Sequence, residues 1–304
     1  MIKHIVIDGG GPTGLICYGA MKYLLQNNYI DLDNIQSVYG TSVGAIIGTL
    51  ILLRYDWETL DDYILKRPWN KVFSVKPEHL FEMYTSKSIY NFNFVNEMLL
   101  PLLTAKDLTE SITLKEFYDF NGIDFHCFTV ELNSFQKIDL SYKTHPDLPL
   151  LKALNMTSAM PIICKPIIED DKCYVDGGII VNYPLYECIC NEKCSEDEVL
   201  GIKNIWVDNE PIITDEMNIF QYLQIMINNV VNNTRSTHLV LNNIEHGHST
   251  SLTPIRHELK CLCGKDMEDI SKWLDYITNV EQMKELIERG KGYAETFLNC
   301  EKEL

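Results

Sequence analysis

The sequence predicts an α/β fold in which helices pack on a mostly parallel central sheet. Two short apolar runs, His4–Asp8 and Gln36–Tyr39, each enter a glycine-rich turn and continue into a helical pattern. Two successive strand–turn–helix units of this kind are typical of a parallel sheet. The chain has 304 residues, of which 46% are hydrophobic, so it is long enough to bury a substantial core.

The elements follow in order along the chain. After the first strand, apolar spacing predicts a helix over Gly14–Asn27, and the second strand leads into the nearly all-apolar helix Val43–Leu53. Residues 57–104 have a helical but irregular pattern with scattered aromatic side chains. Further elements are predicted as a short helix at Thr113–Phe120, strands at 124–132 and 135–142, a helix at Leu148–Met160, and short strands at 173–175 and 201–208.

From about Asp215 the chain is predicted to be largely helical, ending in the amphipathic segment Val280–Leu298. The apolar positions of this segment share a helical spacing, which favours a face packed on the core over a partner-binding face; they are Met283, Leu286, Ile287, Tyr293 and Phe297. We find no internal repeat, no low-complexity tract and no linker.

The charge balance excludes some partners. With 26 basic and 43 acidic residues, the net charge of −17 repels nucleic acid and offers no attraction to anionic membranes, so lipid contact must use apolar surface. The longest uncharged run, Ser37–Leu53, is shorter than a membrane-spanning helix. The N-terminus does not resemble a signal peptide, and the expected location is therefore the cytoplasm, with contact to membranes that is at most peripheral.

The ten cysteines do not have the spacing of a usual zinc site. The groups Cys188-x-Cys190-x₃-Cys194 and Cys261-x-Cys263 lack the matched C-x₂₋₄-C pairs of structural zinc sites. Free thiols in a reducing compartment are the simpler interpretation, and we expect neither a metal nor another cofactor.

The first glycine turn matches G-x-G-x-x-G through Gly9, Gly11 and Gly14. That pattern is shared by flavin- and nicotinamide-binding loops, which makes an oxidoreductase one alternative. Such a site needs an acidic residue at the end of the second strand, about 20 positions on. Asp31 and Asp33 fall near that place, but no buried strand precedes them, which argues against this alternative.

The second glycine turn, at residues 40–44, reads Gly-Thr-Ser-Val-Gly between a predicted strand and an apolar helix. This G-x-S-x-G context is that of a nucleophile elbow, in which a tight turn presents a serine hydroxyl. Ser42 is therefore a candidate nucleophile, flanked by Gly40 and Gly44. The amide end of the helix that begins at Val43 points toward the reacting centre.

A serine nucleophile needs a base, and the sequence offers two kinds. None of the eight histidines lies in a recognisable catalytic turn, and His246-Gly-His248 falls in a polar stretch typical of a solvated loop. Asp176 lies at a strand end before Gly177 and Gly178, where glycines allow a close approach. The aspartate could deprotonate Ser42 directly, although this segment taken by itself is better explained as a simple hairpin turn.

Three ordered blocks of the chain resemble the patatin-like phospholipase family. "GGGPTGLICYGAMKYL" is similar to the family's oxyanion loop and helix, "IQSVYGTSVGAIIGTLI" to its nucleophile elbow, and "VDGGIIVNYPL" to its aspartate block. "NMTSAMPIICKPI" resembles the segment that precedes that aspartate. The family usually has Arg or Lys where this chain has Thr13, so a cationic contribution is missing there.

The resemblance implies a three-layer sandwich, with helices on both faces of the sheet, and a Ser–Asp dyad. In that comparison Ser42 is the nucleophile and Asp176 the general base, and the oxyanion hole is formed by amides among Gly9, Gly10, Gly11 and Val43. Residues 4–190 would form the catalytic core, and residues 191–304 would complete the same globular unit. The implied activity is release of fatty acids from glycerophospholipids or related acyl esters, without a cofactor.

Two further expectations concern the substrate and the alternatives. An acyl chain needs an apolar pocket, and the aromatic-rich residues 69–103 are the first candidate for it, with core packing as the competing explanation. A lipid-binding or scaffold protein that keeps the fold without catalysis is the second alternative, because function resides in the site and not in the fold.

Overall fold

The computed structural model describes residues 1–73, 85–90, 94–206, 213–217, 219, 222–223, 225–234, 255–264, 267 and 272–302. The strands are β1 His4–Ile7, β2 Ser37–Thr41, β3 Ser88–Tyr90, β4 Asp124–Glu131, β5 Gln136–Leu140, β6 Ile162–Cys164, β7 Ile167–Glu169, β8 Lys172–Asp176, β9 Val199–Trp206 and β10 His257–Cys263. The helices are α1 Gly14–Gln26, α2 Val43–Leu52, α3 Trp57–Lys66, α4 Trp69–Val72, α5 Phe94–Thr104, α6 Leu114–Asn121, α7 Leu150–Thr157, α8 Leu185–Glu192, α9 Trp273–Thr278 and α10 Val280–Lys302. Residues 225–234 are also helical.

Eight of these strands form one mixed sheet in the order β10-β9-β1-β2-β4-β8-β7, and β5 pairs with β4 outside this path. The pairs from β10 through β4 are parallel, whereas β8 runs antiparallel to β4 and to β7. The mostly parallel arrangement confirms the predicted fold class. It also brings the carboxyl ends of β1, β2 and β4 to one edge of the sheet, where ligands bind in open α/β sheets.

Strand alternation divides the core between the two faces of the sheet. In β1, Ile5 and Ile7 belong to a large apolar cluster that includes residues of α1, α2 and α10, whereas Val6 belongs to a second cluster with residues of α8. Successive side chains of a strand point to opposite faces, and all four residues of β1 are buried because both faces are covered. The predicted layers, with helices on both faces, are therefore present.

The C-terminal helix α10 packs on α1 through glycines. A β-carbon on Gly19 would lie 2.0 Å from the Ile287 carbonyl oxygen, and one on Gly290 would lie 1.9 Å from that of Ile16. The predicted apolar stripe is in the core as expected, since Met283 and Leu286 are buried and Tyr293 packs against the same cluster.

The prediction of a largely helical C-terminal third was wrong at His257–Cys263. These residues form β10, which pairs with β9 over seven positions. Its Leu259, Cys261 and Cys263 are buried while the intervening side chains are mostly exposed, a strand alternation that the helical interpretation missed. The His246-Gly-His248 segment lies outside the described residues. In the described part of the chain, no helix combines the length and the apolarity that crossing a bilayer requires.

Candidate active site

Ser42 lies in a strained turn between β2 and α2. Its backbone has φ 54° and ψ −125°, a conformation that costs a non-glycine residue about 1–3 kcal/mol. The turn leaves no space beside its two glycines: a β-carbon on Gly40 would lie 2.6 Å from the Ala45 nitrogen, and one on Gly44 would lie 2.4 Å from the Ile7 oxygen. The predicted strand–turn–helix context of residues 40–44 is therefore present.

The Ser42 backbone is fixed by hydrogen bonds, and the residue lines a cavity. The Ser42 amide donates to Thr157 Oγ1 at 3.0 Å, and the Ser42 carbonyl accepts from the Ala45 and Ile46 amides at 3.0 and 3.2 Å. Serine at the N-cap of a helix usually accepts a bond from the first turn, but within the described structure the Ser42 side chain caps no amide of α2. This leaves the hydroxyl available to a bound molecule.

The glycine loop follows β1 and runs beside this turn. Gly10 and Gly11 line the cavity together with Ser42 and Val43. The short 3₁₀ turn Gly11–Thr13 and helix α2 both begin here, and the first amides of a helix have no acceptor within it. Gly11 has φ 59°, and a β-carbon on it would lie 2.7 Å from the Trp273 ring.

One of the four amides proposed for the oxyanion hole already donates a backbone hydrogen bond within the fold. The Gly9 amide donates to the Asn182 carbonyl at 3.1 Å, and Gly9 is absent from the described cavity lining. We therefore remove Gly9 from the set of candidate donors. Gly10, Gly11 and Val43 remain.

A buried polar network supports the glycine loop from behind. Asn204 donates through Nδ2 to the Gly9 carbonyl at 3.0 Å and to Thr13 Oγ1 at 2.9 Å. Asp8 accepts from the Asn204 amide at 3.0 Å and from Asn182 Nδ2 at 2.5 Å. Thr13 is fully buried in this network, so its side chain points away from any ligand.

Asp176 ends β8 at the same cavity. Its Oδ1 accepts from the Gly178 amide at 2.7 Å, and its own amide donates to the Ala159 carbonyl at 2.9 Å. A β-carbon on Gly177 would lie 2.1 Å from the Phe128 oxygen, so a glycine is required after the aspartate. The structure thus brings Asp176 and Ser42 to one cavity, although 134 positions separate them in the sequence.

The cavity has a volume of about 420 Å³ and is mainly apolar. One helical face of α2 forms part of its wall, and other apolar side chains come from α3, α4, α5 and residues 225–234; they include Val43, Ile46, Ile47, Leu50, Ile64, Trp69, Phe94, Met98, Ile227 and Val231. The predicted aromatic region 69–103 therefore contributes to the wall with its described residues. Residues 74–84 and 91–93 of that region lie outside the description.

Asp176 is the only carboxylate among the described residues that line the cavity, and no described histidine lines it. His4 pairs with Ser37, His126 with Asp139, and His257 with Tyr29. His79, His238, His246 and His248 lie outside the described residues. Cys164 also lines the cavity, where burial, with a contribution from Asp176, raises the pKa of its thiol to about 12 and keeps it protonated at neutral pH.

The motifs indicated Ser42, Asp176 and the glycines, but not the network behind the loop. Asp8 and Asn204 lie 196 positions apart, and neither forms part of a pattern at its own place in the sequence. The only member of this network that a sequence motif contained was Asn182, which follows Asp176 in the block "VDGGIIVNYPL".

A family model described as patatin-like phospholipase matches residues 5–189, more than half of the chain. An uncharacterized protein of Acanthamoeba polyphaga mimivirus is 25% identical over 186 residues, which cover 60% of this chain and 60% of that protein. A probable lipid hydrolase of Invertebrate iridescent virus 6 is 25% identical over 185 residues, which cover 60% of this chain and 62% of that protein. The matches thus span less than two thirds of these relatives.

The crystal structure of VipD from Legionella pneumophila has the same fold, with a TM-score of 0.55 at 12% identity. The alignment covers 98% of this chain and 67% of VipD. At this identity the likeness concerns the fold alone.

Proposed function

Because this chain belongs to the patatin-like phospholipase family, we propose that it is a serine-dependent lipid acyl hydrolase that releases fatty acids from glycerophospholipids. Ser42 is the nucleophile and Asp176 the general base. The observation that carries the proposal is that Ser42 and Asp176 line one apolar cavity, beside the start of α2 and the glycine loop. The similarity to a probable viral lipid hydrolase supports the same class of activity.

The proposed reaction has two acyl-transfer steps. Asp176 accepts the Ser42 proton as Ser42 Oγ attacks the ester carbonyl carbon, and the carbonyl π electrons move to oxygen. The tetrahedral intermediate collapses, the leaving alkoxide takes the proton from Asp176, and an acyl-serine remains. Water then loses a proton to Asp176 as it attacks the acyl-serine, and the fatty acid leaves as the proton returns to Ser42.

The oxyanion of each intermediate would be stabilised by the amides of Gly10, Gly11 and Val43. Preorganised donors of this kind contribute about 10²–10³ in rate each. The amide end of α2 adds a partial positive charge at the same place. Thr13 cannot supply the cation that the family usually has here, so stabilisation falls to the backbone in this chain.

Contact with membrane lipid would be peripheral and apolar. Residues 225–234 line the cavity through Ile227 and Val231, while Met226 and Val230 on the other side of that helix are 42% and 58% exposed. Ile219 and Tyr222 are exposed at matching helical spacing. These exposed apolar side chains lie close in sequence to residues that line the cavity, and they would let the protein meet a lipid surface despite its net charge of −17.

The test compares the wild type with Ser42→Ala and Asp176→Asn on phosphatidylcholine vesicles and on a soluble short-chain ester. Ser158→Ala is the matched control, since Ser158 lines the same cavity without a part in the mechanism. We expect both active-site variants to lose activity by about 10³-fold or more, while the control stays near the wild type. A fluorophosphonate probe should label the wild type and Ser158→Ala, should label Asp176→Asn much more slowly, and should not label Ser42→Ala.

Equal activity in all four proteins would contradict the assignment. A folded wild type that binds lipid but neither turns over nor takes the probe would favour the non-catalytic lipid-binding alternative. The oxidoreductase alternative receives no support, because β2 ends in the serine turn and Asp33 forms a surface ion pair with Arg54.

A further inference from the structure

We propose that Asp124, His126 and Glu192 bind a divalent transition-metal ion of the Zn²⁺ class at the edge of the sheet opposite the cavity. Asp124 and His126 lie at the start of β4, and Glu192 ends α8. Ser42, by contrast, follows the carboxyl end of β2. The inference does not depend on the proposed hydrolase function.

The three side chains have the donor set and spacing of a metal site. One imidazole nitrogen and two carboxylate oxygens lie within 4.8 Å of one another, and His126 Nε2 is 3.1 Å from Asp124 Oδ2. Ligand atoms on a tetrahedral Zn²⁺ ion are about 3.4 Å apart, given metal–ligand bonds of about 2.0–2.2 Å. A small movement of the half-buried Glu192 side chain would shorten the donor–donor distances, which are up to 4.8 Å, to about this value.

The buried donor atoms are independent support for the site. The His126 and Asp124 side chains are only 4% and 7% exposed. Among the described residues, neither Asp124 oxygen nor His126 Nε2 forms a hydrogen bond of good geometry. Asp124 Oδ2 and His126 Nε2 lie 3.1 Å apart without a hydrogen bond of good geometry, so a cation bound between them would give both buried atoms a partner.

The surrounding residues orient the donors as in known metal sites. Asp139 lies 2.8 Å from His126 Nδ1, so that nitrogen donates to the carboxylate and Nε2 is left to bind a cation. Metal-binding histidines typically have this carboxylate partner. The Tyr39 side chain contacts both His126 and Glu192. Its ring stacks on the His126 imidazole with the ring centroids 4.2 Å apart, and its hydroxyl donates to the Glu192 carboxylate at 2.9 Å.

Lys143 is the competitor for this site. Its ammonium lies 2.5 Å from Asp124 Oδ2, and its side chain is 53% exposed, so it can move into solvent when a metal ion binds. A divalent cation that binds here would take the place of the Lys143 ammonium beside the carboxylates of Asp124 and Glu192. Imidazole with carboxylates favours Zn²⁺, Co²⁺ or Mn²⁺ over Mg²⁺ and Ca²⁺.

The experiment uses the full chain, freed of metal with a chelator, and measures Zn²⁺, Co²⁺ and Mg²⁺ binding by equilibrium dialysis at neutral pH. We expect about one Zn²⁺ or Co²⁺ per chain and no comparable Mg²⁺ binding. Asp124→Asn and Glu192→Gln should lose the ion, and Tyr39→Phe should weaken binding by about 10- to 100-fold. Lys143→Met should tighten it by about tenfold, because a competing charge is removed.

Controls distinguish this site from the ten cysteines. Glu187→Gln changes a carboxylate on the same helix that pairs with Lys137, and it should leave binding unchanged. The Co²⁺ spectrum should lack the charge-transfer band of a cobalt–thiolate bond. The proposal is overturned if neither the wild type nor Lys143→Met binds Zn²⁺, if the thiolate band appears, or if Asp124→Asn and Glu192→Gln bind as the wild type does.

Discussion

At the scale of single residues, Thr13 shows how this chain supports its glycine loop without a basic side chain. Thr13 Oγ1 accepts from Asn204 Nδ2 at 2.9 Å, and the same amide group donates to the Gly9 carbonyl. The loop is thereby fixed to β9 through one asparagine. This network holds the backbone of the loop and reaches no ligand.

Replacing Thr13 tests this role. Thr13→Val keeps the shape but leaves a buried Asn204 N–H without an acceptor, so we expect a loss of about 1–3 kcal/mol in the free energy of unfolding. The turnover number should fall with little change in KM, since the loop amides act mainly in the transition state. Chemical denaturation and steady-state kinetics measure both effects.

Two further variants serve as references. Thr13→Ser keeps the hydroxyl and should behave like the wild type. Thr13→Arg introduces the side chain that the family usually has, but the position is fully buried, so we expect destabilisation and no gain in activity. A more active and equally stable Thr13→Arg would show that the loop has room for a cation and would contradict the network's assigned role.

Sequence motifs identified the residues whose geometry is local. Ser42 and its flanking glycines were predictable because a strand-to-helix turn leaves no space for a β-carbon there. The Gly9 amide was misassigned as an available donor, since its acceptor, the Asn182 carbonyl, lies 173 positions away. Asn204 was missed for the same reason. Contacts of this kind follow from the sheet order, which no local pattern encodes.

At the scale of elements, Glu131 fixes the hairpin between β4 and β5. Its carboxylate accepts from Ser134 Oγ and from the amides of Ser134, Asn133 and Cys173, and the last of these bonds ties the hairpin to β8. The bonds from Ser134, followed by those from Asn133 and Cys173, lower the pKa of Glu131 to about 2 from 4.5.

This pKa predicts a pH-dependent contribution to stability. A carboxyl group with a depressed pKa in the folded state stabilises the fold above its unfolded pKa of 4.5, and the contribution is lost as the pH falls toward about 2. Glu131→Gln should therefore unfold more easily than the wild type at neutral pH, and the difference should shrink below about pH 4.5. Urea unfolding at a series of pH values measures it.

The control for this effect is Glu295→Gln, which changes an exposed glutamate on α10. It should leave the free energy of unfolding near the wild-type value across the same pH range. A constant difference between the wild type and Glu131→Gln from neutral to acid pH would mean that the carboxylate charge is not what stabilises the hairpin.

The contact between α1 and α10 gives a second prediction at this scale. A β-carbon on Gly290 would lie 1.9 Å from the Ile16 carbonyl oxygen, which belongs to the backbone of α1. Gly290→Ala should therefore force the helices apart and cost about 1–3 kcal/mol. Gly292 lies two residues further on the same helix with nothing within 4 Å of its would-be β-carbon.

Gly292→Ala is thus the matched control, and it should stabilise the protein by about 0.5–1 kcal/mol because alanine favours helix. The free energies of unfolding of both variants, measured by chemical denaturation, separate the effect of close packing between α1 and α10 from the effect of alanine's helix propensity. If Gly290→Ala stabilised the protein as well, α10 would not be packed tightly on α1.

The elements themselves were predicted unevenly. Strands followed by glycine turns near the N-terminus were recognised because their apolar runs are short and sharply ended. β10 was missed because its alternation of buried and exposed side chains belongs to an edge strand, and its pairing partner β9 precedes it by about fifty residues. A strand on the edge of a sheet depends on its neighbour more than on its own composition.

At the scale of the whole molecule, the C-terminal third extends the N-terminal sheet. Strands β9 and β10 continue the sheet beside β1, and α10 packs on α1, the helix that follows the glycine loop. These contacts support our proposal that residues 191–304 complete the unit whose catalytic core is residues 4–190. Removal of α10 should consequently affect the loop as well as stability.

The cavity adds a prediction about substrate length that rests on the proposed hydrolase function. Val43, Ile46, Ile47 and Leu50 form one face of α2 along the cavity wall, starting beside Ser42. With a rise of 1.5 Å per residue, Leu50 lies about 10 Å further along the helix than Val43. An acyl chain held at Ser42 would therefore pass Leu50 only if it is long.

We expect kcat/KM for a series of acyl esters to rise with chain length until the cavity is filled. Each methylene moved from water into the apolar cavity contributes about 0.8 kcal/mol, which sets an upper limit of about fourfold per methylene. Leu50→Trp should shorten the cavity at its far end. It should reduce kcat/KM for long esters by about tenfold or more while leaving butyryl esters near the wild-type rate, because the space beside Ser42 is unchanged.

The short ester is the internal control in that experiment. A disrupted fold or a displaced Ser42 would reduce the rates for short and long esters alike, whereas a shortened cavity affects only substrates that reach Leu50. A flat chain-length profile in the wild type, or equal losses for all esters in Leu50→Trp, would place the acyl chain along another wall. In that case α2, which begins at the serine turn and presents the nucleophile, would not be the helix that limits the length of the acyl chain.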